Sequence, residues 1–252
     1  MFDTLKSRIF QGKQFISDIQ NAPMREQFRG YPILKGEVSN PQECINACPT
    51  GALKINPLSI DMGKCTFCGA CANTCQNDAI KFSNMYKLGS TSRERLIITE
   101  EMLKEEYEKS AIEVRKEIKK VFSKSLKLRQ VSAGGCNGCE LELNACSNVN
   151  FDMGRFGIDF VASPRHADGI VITGPISENM AYALEDCYKS VPNPKIVILC
   201  GACAISGGVF QNSTKINREF LEKYPVDLYI PGCPVHPLTF INAVLSFIGG
   251  KR

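Results

Sequence analysis

The chain has 252 residues, 44% of them hydrophobic, and a net charge of +4. That length holds one large domain or two smaller ones, and so mild a charge does not mark a nucleic-acid binder. A membrane-spanning helix needs roughly 20 apolar residues, whereas the most apolar run, LTFINAVLSFI, has 11 and is interrupted by Thr239, Asn242 and Ser246. Membrane attachment is therefore expected only through partners. Thirteen cysteines are the anomaly. A disulfide framework needs an extracellular setting, and MFDTLKSRIFQGKQF has no apolar signal core. The cysteines are expected to be reduced, and the clustered ones to ligate metal.

In chain order, residues 1–35 read as a short amphipathic helix and an extended lead-in, FRGYPIL. Residues 36–90 hold six cysteines and little periodicity, as in a small domain organised by a metal site. Cys65, Cys68, Cys71 and Cys75 follow C-x2-C-x2-C-x3-C, and Cys44 and Cys48 form C-x3-C-P upstream. The short steps let three thiolates converge on one cubane from a single loop, with the fourth supplied from elsewhere. Zinc prefers paired C-x2-C knuckles about 12–20 residues apart, so iron–sulfur is the better reading.

Residues 91–124 are densely charged. Thr99 suits an N-cap, Glu100 and Glu101 suit a first turn, and Lys119 and Lys120 suit a last one. Leu103, Tyr107, Val114, Ile118 and Val121 fall on one stripe, which predicts a connecting helix of about five to six turns.

From residue 125 the pattern is α/β. The strands SLKLRQV, GIDFVAS, GIVITG, KIVILCG and VDLYIPG alternate with helical stretches such as SENMAYALEDCYKSV and PLTFINAVLSFI. Alternation of this kind predicts parallel βαβ units, with ligands beyond the carboxyl ends of the strands. Cys136 and Cys139 in AGGCNGCELE, Cys203 in GACAISGG and Cys233 in PGCPVHP lie in such turns, where they would make a tetrathiolate site. Cys200, Cys187 and Cys146 read as packing residues. Glu140 reads as a solvated or interface charge, His236 as an interface or capping residue and His166 as structural.

The first half resembles a bacterial-type two-cluster ferredoxin, in which the last cysteine of each run serves the other cluster. Pro49 after Cys48 and the PTGAL and NDAI endings carry the resemblance. It implies one 4Fe-4S cluster on Cys48, Cys65, Cys68 and Cys71. A second would use Cys44, Cys75 and thiolates at Val38 and Pro41, which cannot serve, and Gln76 stands where proline is usual. One ancestral cluster is therefore expected to be lost, with no third cluster on Cys44 and Cys75.

From about Ser125 onward, CNGCELE, SPRHADGIVITGPISENM, GACAISGG and PGCPVHP closely resemble the small subunit of NiFe hydrogenases and the homologous subunit of respiratory complex I. The resemblance implies a flavodoxin-like domain with the proximal 4Fe-4S cluster on Cys136, Cys139, Cys203 and Cys233, facing the Ni–Fe centre of a separate large subunit. It makes Glu142, just after the cluster loop, a candidate proton relay or loop-orienting carboxylate. C-x2-C is the hydrogenase form, since the complex I subunit has adjacent cysteines. With a ferredoxin domain in front and no further Fe–S region behind, the chain resembles the energy-converting, group 4 hydrogenases.

The expected architecture is therefore a flavodoxin-like α/β domain over 125–252, a helical linker over 91–124, and a small ferredoxin-like α+β domain over 1–90. The expected role is electron transfer through two 4Fe-4S clusters between a ferredoxin-type carrier and a hydrogenase large subunit. The chain itself would make no bond to hydrogen. It would sit on the cytoplasmic face of the membrane through membrane subunits. Two alternatives stand: a complex I-like dehydrogenase subunit, and a hydrogen-sensing module without turnover.

Overall fold

The computed structural model describes residues 2–75, 77–114, 116–122 and 124–249; Gln76 lies outside them. The first helix, α1 (Phe2–Gln11), buries none of its residues. After it come β1 (Pro32–Leu34), α2 (Pro41–Asn46), β2 (Leu53–Ile55), β3 (Leu58–Asp61), α3 (Ala70–Thr74), β4 (Ile80–Phe82) and β5 (Ile97–Thr99). β1 pairs antiparallel with β4, and β2, β3 and β5 form a second antiparallel sheet. These strands have three or four residues each. Regular hydrogen bonding alone would hold such pieces weakly, and the cysteine-bearing loops between them supply the rest.

The single connecting helix expected between 99 and 122 is not formed. Thr99 does not cap a helix; it pairs with Ser59 in the β3–β5 ladder. Two short helices follow, α4 (Lys104–Ser110) and α5 (Lys116–Phe122). The segment between them bonds elsewhere: Ala111 O accepts from Thr91 N and Ser90 Oγ, and Thr91 Oγ1 accepts from Glu113 N. The predicted stripe is accordingly split, with Tyr107 and Ile118 buried and Leu103, Val114 and Val121 exposed.

The remaining elements are β6 (Leu126–Ser132), α6 (Gly138–Ala145), β7 (Ile158–Phe160), β8 (Gly169–Thr173), α7 (Glu178–Ser190), β9 (Ile196–Cys200), α8 (Ala202–Ser206), α9 (Glu219–Lys223), β10 (Leu228–Ile230) and α10 (Pro237–Phe247). All five predicted strands are present, and they form one parallel sheet in the order β10-β9-β8-β6-β7. Numbered along the sheet-forming chain this is 2-1-3-4-5, the flavodoxin-like order. β8 and β9 are buried at every residue, as helices on both faces require. The apolar run near the C-terminus is α10, which buries every residue but Ser246 against this sheet. No helix among the described residues is long and apolar enough to cross a membrane.

The two halves share a core. One buried cluster joins Tyr31, Ile60 and Leu96 to Ile172, Leu199 and Ile205. Ser90 exchanges backbone hydrogen bonds with Tyr229 of β10 at 2.9 and 2.8 Å, and Gln211 Nε2 donates to Thr50 O at 2.9 Å.

Candidate iron–sulfur centres

The first centre gathers around α3. Cys48 follows the end of α2, Cys65 and Cys68 lie on the loop after β3, and Cys71 sits in α3. Each of Cys65 and Cys71 lies within electrostatic reach of the other sulfurs of the set. The backbone is aimed at the sulfurs: Phe67 N donates to Cys65 Sγ at 3.3 Å and Ala52 N to Cys48 Sγ at 3.2 Å. Burial pushes the Cys65 thiol up to about 12 and the Cys71 thiol up to about 11. Burial also works against ionisation of Cys48, but N–H donors from Thr50, Leu53 and Ala52 outweigh it and hold that thiol below its ordinary value. Thiolates at positions as buried as Cys65 and Cys71 need positive charge beside them. Among the described residues no three His, Cys, Asp or Glu side chains converge on a single-ion site. A cubane takes its four thiolates at separate corners, so the donor set suits it.

Cys44 and Cys75 correct the expectation that every cysteine is reduced. They are bonded to each other, with Cα atoms 5.4 Å apart, and both are buried. The two residues meet at a Cα separation that suits a disulfide. The bridge ties α2 to the end of α3, the two helices that flank the first centre.

The second centre lies at the switch point of the parallel sheet, between β6 and β8, where the strand order reverses. Cys136 comes from the β6–α6 turn and Cys233 from the turn after β10, whereas Cys139 and Cys203, expected in turns, lie in the first turns of α6 and α8. All four line one cavity of about 260 Å³. Two glycines keep it open. Gly174 has φ +79°, and a Cβ there would meet Gly135 N at 2.5 Å. Gly201 has φ +96°, and its Cβ would lie 2.6 Å from Cys139 Sγ. Any other residue at either position would be strained and would close the cradle. Cys200 is fully buried in β9, as expected of a packing residue. Its thiol also donates to the Cys139 sulfur and, with Val235 N, holds Cys139 below the ordinary thiol value. Burial pushes the Cys203 thiol up to about 11.

Glu140 is the residue the sequence misplaced. It is not a solvated charge: it is 6% exposed and lines the same cavity. Its Oε1 accepts from Ser132 Oγ at 2.7 Å and from Thr173 Oγ1 at 2.6 Å, which pins the start of α6 to the ends of β6 and β8. The usable signal was the shared helix face of Glu140 and the buried Leu143, three positions on. Glu142 is partly buried, and desolvation raises its carboxyl above the ordinary value. Cys146 is buried and donates to Glu142 O, while Cys187 packs against the core. His236 caps α10, accepting from Leu238 N at Nδ1, and meets Phe28 and Phe151 edge-on. His166 is exposed on a short turn.

The two centres face each other. Cys68 and Cys233 line a common cavity of about 530 Å³ with Phe67, Arg29 and His236, and Cys233 feels the charge of Cys68.

A flavodoxin-order sheet with cysteines at its switch point, behind a ferredoxin-type cysteine loop, defines an iron–sulfur protein of the electron-transfer kind. Residues 136–247 match the model for the NADH ubiquinone oxidoreductase, 20 Kd subunit, and residues 58–81 match that for the 4Fe-4S binding domain. The chain belongs to the 20 Kd subunit family. It is similar to a probable membrane-bound hydrogenase subunit of Pyrococcus furiosus, 40% identical over 46% of this chain and 69% of the relative. It is also similar to formate hydrogenlyase subunit 7 of Escherichia coli, 40% identical over 52% of this chain and 51% of the relative. An NADH-quinone oxidoreductase subunit of Geotalea daltonii is 41% identical over 45% of this chain and 68% of the relative.

Proposed function

We propose that this chain is the electron-transferring subunit of a membrane-associated NiFe hydrogenase. The observation that carries the reading is the facing pair of centres, with Cys68 and Cys233 on one cavity. Cys48, Cys65, Cys68 and Cys71 would hold an outer 4Fe-4S cluster; Cys136, Cys139, Cys203 and Cys233 would hold a proximal one. A 4Fe-4S cluster so held accepts and gives up one electron at a time. The chain's own residues do the rest. Thiolates from separate loops fix the two sites relative to one another through the shared core. Backbone N–H groups at Cys48, Cys65 and Cys139 offset negative charge on sulfur, which is one of the levers on potential.

In this reading residues 1–90 take electrons from a ferredoxin-type carrier. Residues 125–252 pass them to a separate large subunit that carries the Ni–Fe centre, and 91–124 joins the two. Membrane subunits would anchor the assembly on the cytoplasmic face. The relatives named as hydrogenase and formate hydrogenlyase subunits support it, as does the C-x2-C spacing of Cys136 and Cys139. The relative named as a quinone oxidoreductase subunit favours the second reading, a complex I-like dehydrogenase subunit. Hydrogen turnover and nickel content of the complex purified with its partners separate the two. Hydrogen uptake or evolution with bound nickel is expected; quinone reduction without nickel would overturn the hydrogenase reading.

A further inference from the structure

Arg218, just before α9, sends its guanidinium under the Cys203 turn. Nη1 donates to Cys203 O and Pro175 O, each at 3.3 Å, and Nη2 donates to Ile205 O at 2.8 Å. All three partners are neutral carbonyls. None of the ion pairs among the described residues includes Arg218. A partly buried cation with no countercharge is costly. Arg93 lies within electrostatic reach and disfavours the charge, whereas the Cys203 sulfur favours it.

Arg93 has its own partner. It grips Asp61 with Nη1–Oδ1 at 2.8 Å and Nη2–Oδ2 at 2.6 Å. Asp61 also holds the outer loop, since its carbonyl accepts from Cys65 N at 2.9 Å. Gly63 packs against both Arg93 and Ile205. A polar seam thus runs from the Cys65 loop through Asp61 and Arg93 to Arg218 and the Cys203 loop, and Arg218 is its unpaired end.

We propose that Arg218 is the counter-charge of the proximal centre and sets its reduction potential by favouring the reduced state. The inference rests on the assignment of Cys203 as a ligand. A cubane on four thiolates is anionic and gains a further negative charge on reduction. A fixed cation against one of its ligand loops therefore stabilises the reduced form more than the oxidised form, and raises the potential. Arginine suits the position because it stays charged when partly buried and its fork holds three carbonyls at once.

The test is a redox titration of the full chain, purified anaerobically with its clusters and followed by electron paramagnetic resonance. Arg218→Gln should keep the proximal signal and shift its midpoint downward. Arg218→Lys retains the charge but not the fork, and should stay close to wild type. Asp61→Asn frees the charge of Arg93 and should shift the proximal midpoint upward without touching Arg218. A proximal midpoint that does not move in Arg218→Gln overturns the proposal, as does an Arg218→Lys midpoint that falls as far as that of Gln. If Arg218→Gln assembles no proximal cluster, the other two variants decide, and an Asp61→Asn midpoint at or below wild type refutes it. A proximal signal that persists in Cys203→Ala would sink the ligand assignment itself, and the role of Arg218 with it.

Discussion

Replacing Cys44 and Cys75 together by alanine separates a bridge from a cluster ligand. The bonded residues are 31 apart in sequence. In the chain-entropy account, closing a loop of that length in the unfolded state stabilises the fold by about 3–4 kcal/mol. In a chain of this size that is on the order of 10 °C in melting temperature. A cluster on Cys48, Cys65, Cys68 and Cys71, as proposed, would tie the same two helices, so the loaded protein should lose less than the cluster-free one. Iron should stay at about eight atoms per chain, because four thiolates remain at each centre at four iron atoms per cubane. Iron analysis and thermal melts with and without reductant make the measurement, and reductant should bring the wild-type melt down to that of the variant. A loss of about four iron atoms per chain would show that Cys44 and Cys75 ligate a cluster. A variant that melts with the wild type in the absence of reductant would show that the bridge constrains nothing.

Three further outcomes are expected. Cys203→Ala and Cys233→Ala should each abolish the proximal signal and leave the outer one, since the two centres share no ligand; loss of both signals together would contradict that separation. Glu140→Ala removes a carboxylate held by two hydroxyls and should destabilise the chain by on the order of 3 kcal/mol; Glu140→Gln should recover part of this in a denaturant titration, and equal stability of all three proteins would mean that the carboxylate pins nothing. Cys200→Ala should retain all its iron but lower the proximal midpoint, because it deletes the S–H donor to Cys139; loss of iron would make Cys200 a ligand.

The sequence announces the parallel sheet because its central strands β8 and β9 are fully buried and carry uninterrupted apolar runs, GIVIT and IVILC. The N-terminal strands leave no comparable trace. Three residues of PIL or LKI are too short for a period, and they hold together through the loops they frame. The helix expected over 99–122 fails for a different reason. Its stripe is genuine in spacing, but the Ser90–Ser92 segment offers hydroxyls and N–H groups that capture the backbone near Ala111, and tertiary bonding overrides local periodicity. Glu140 shows the limit of reading charge as exposure: what makes burial tolerable is the pair of hydroxyls from Ser132, eight residues before it, and Thr173, thirty-three after, neither of which stands out in the sequence. Arg218 was invisible for the same reason, since its partners are carbonyls, which every residue has. The bridge between Cys44 and Cys75 was half legible, because the missing ligands at 38 and 41 are plain in the sequence but the meeting of the two remaining thiols is a fact of the fold.

The facing centres give the proposed division of labour its sharpest test. Cys65 and Cys68 sit on one short loop, so replacing both by serine should destroy the outer cluster. Cys68 lines the cavity that also holds Cys233, yet it supplies nothing to the proximal site. The proximal signal should therefore persist, and the large subunit should still assemble against the Cys136, Cys203 and Cys233 face. Exchange of H2 with D2O needs no external electron and should survive. Hydrogen evolution driven by a reduced ferredoxin-type donor should collapse, because the route from donor to Cys233 passes through the lost site. If donor-driven evolution stays near wild type while the outer signal is gone, electrons reach the proximal centre without the outer one. Residues 1–90 would then hold the assembly together without conducting, and the nearness of Cys68 to Cys233 would be a consequence of packing alone.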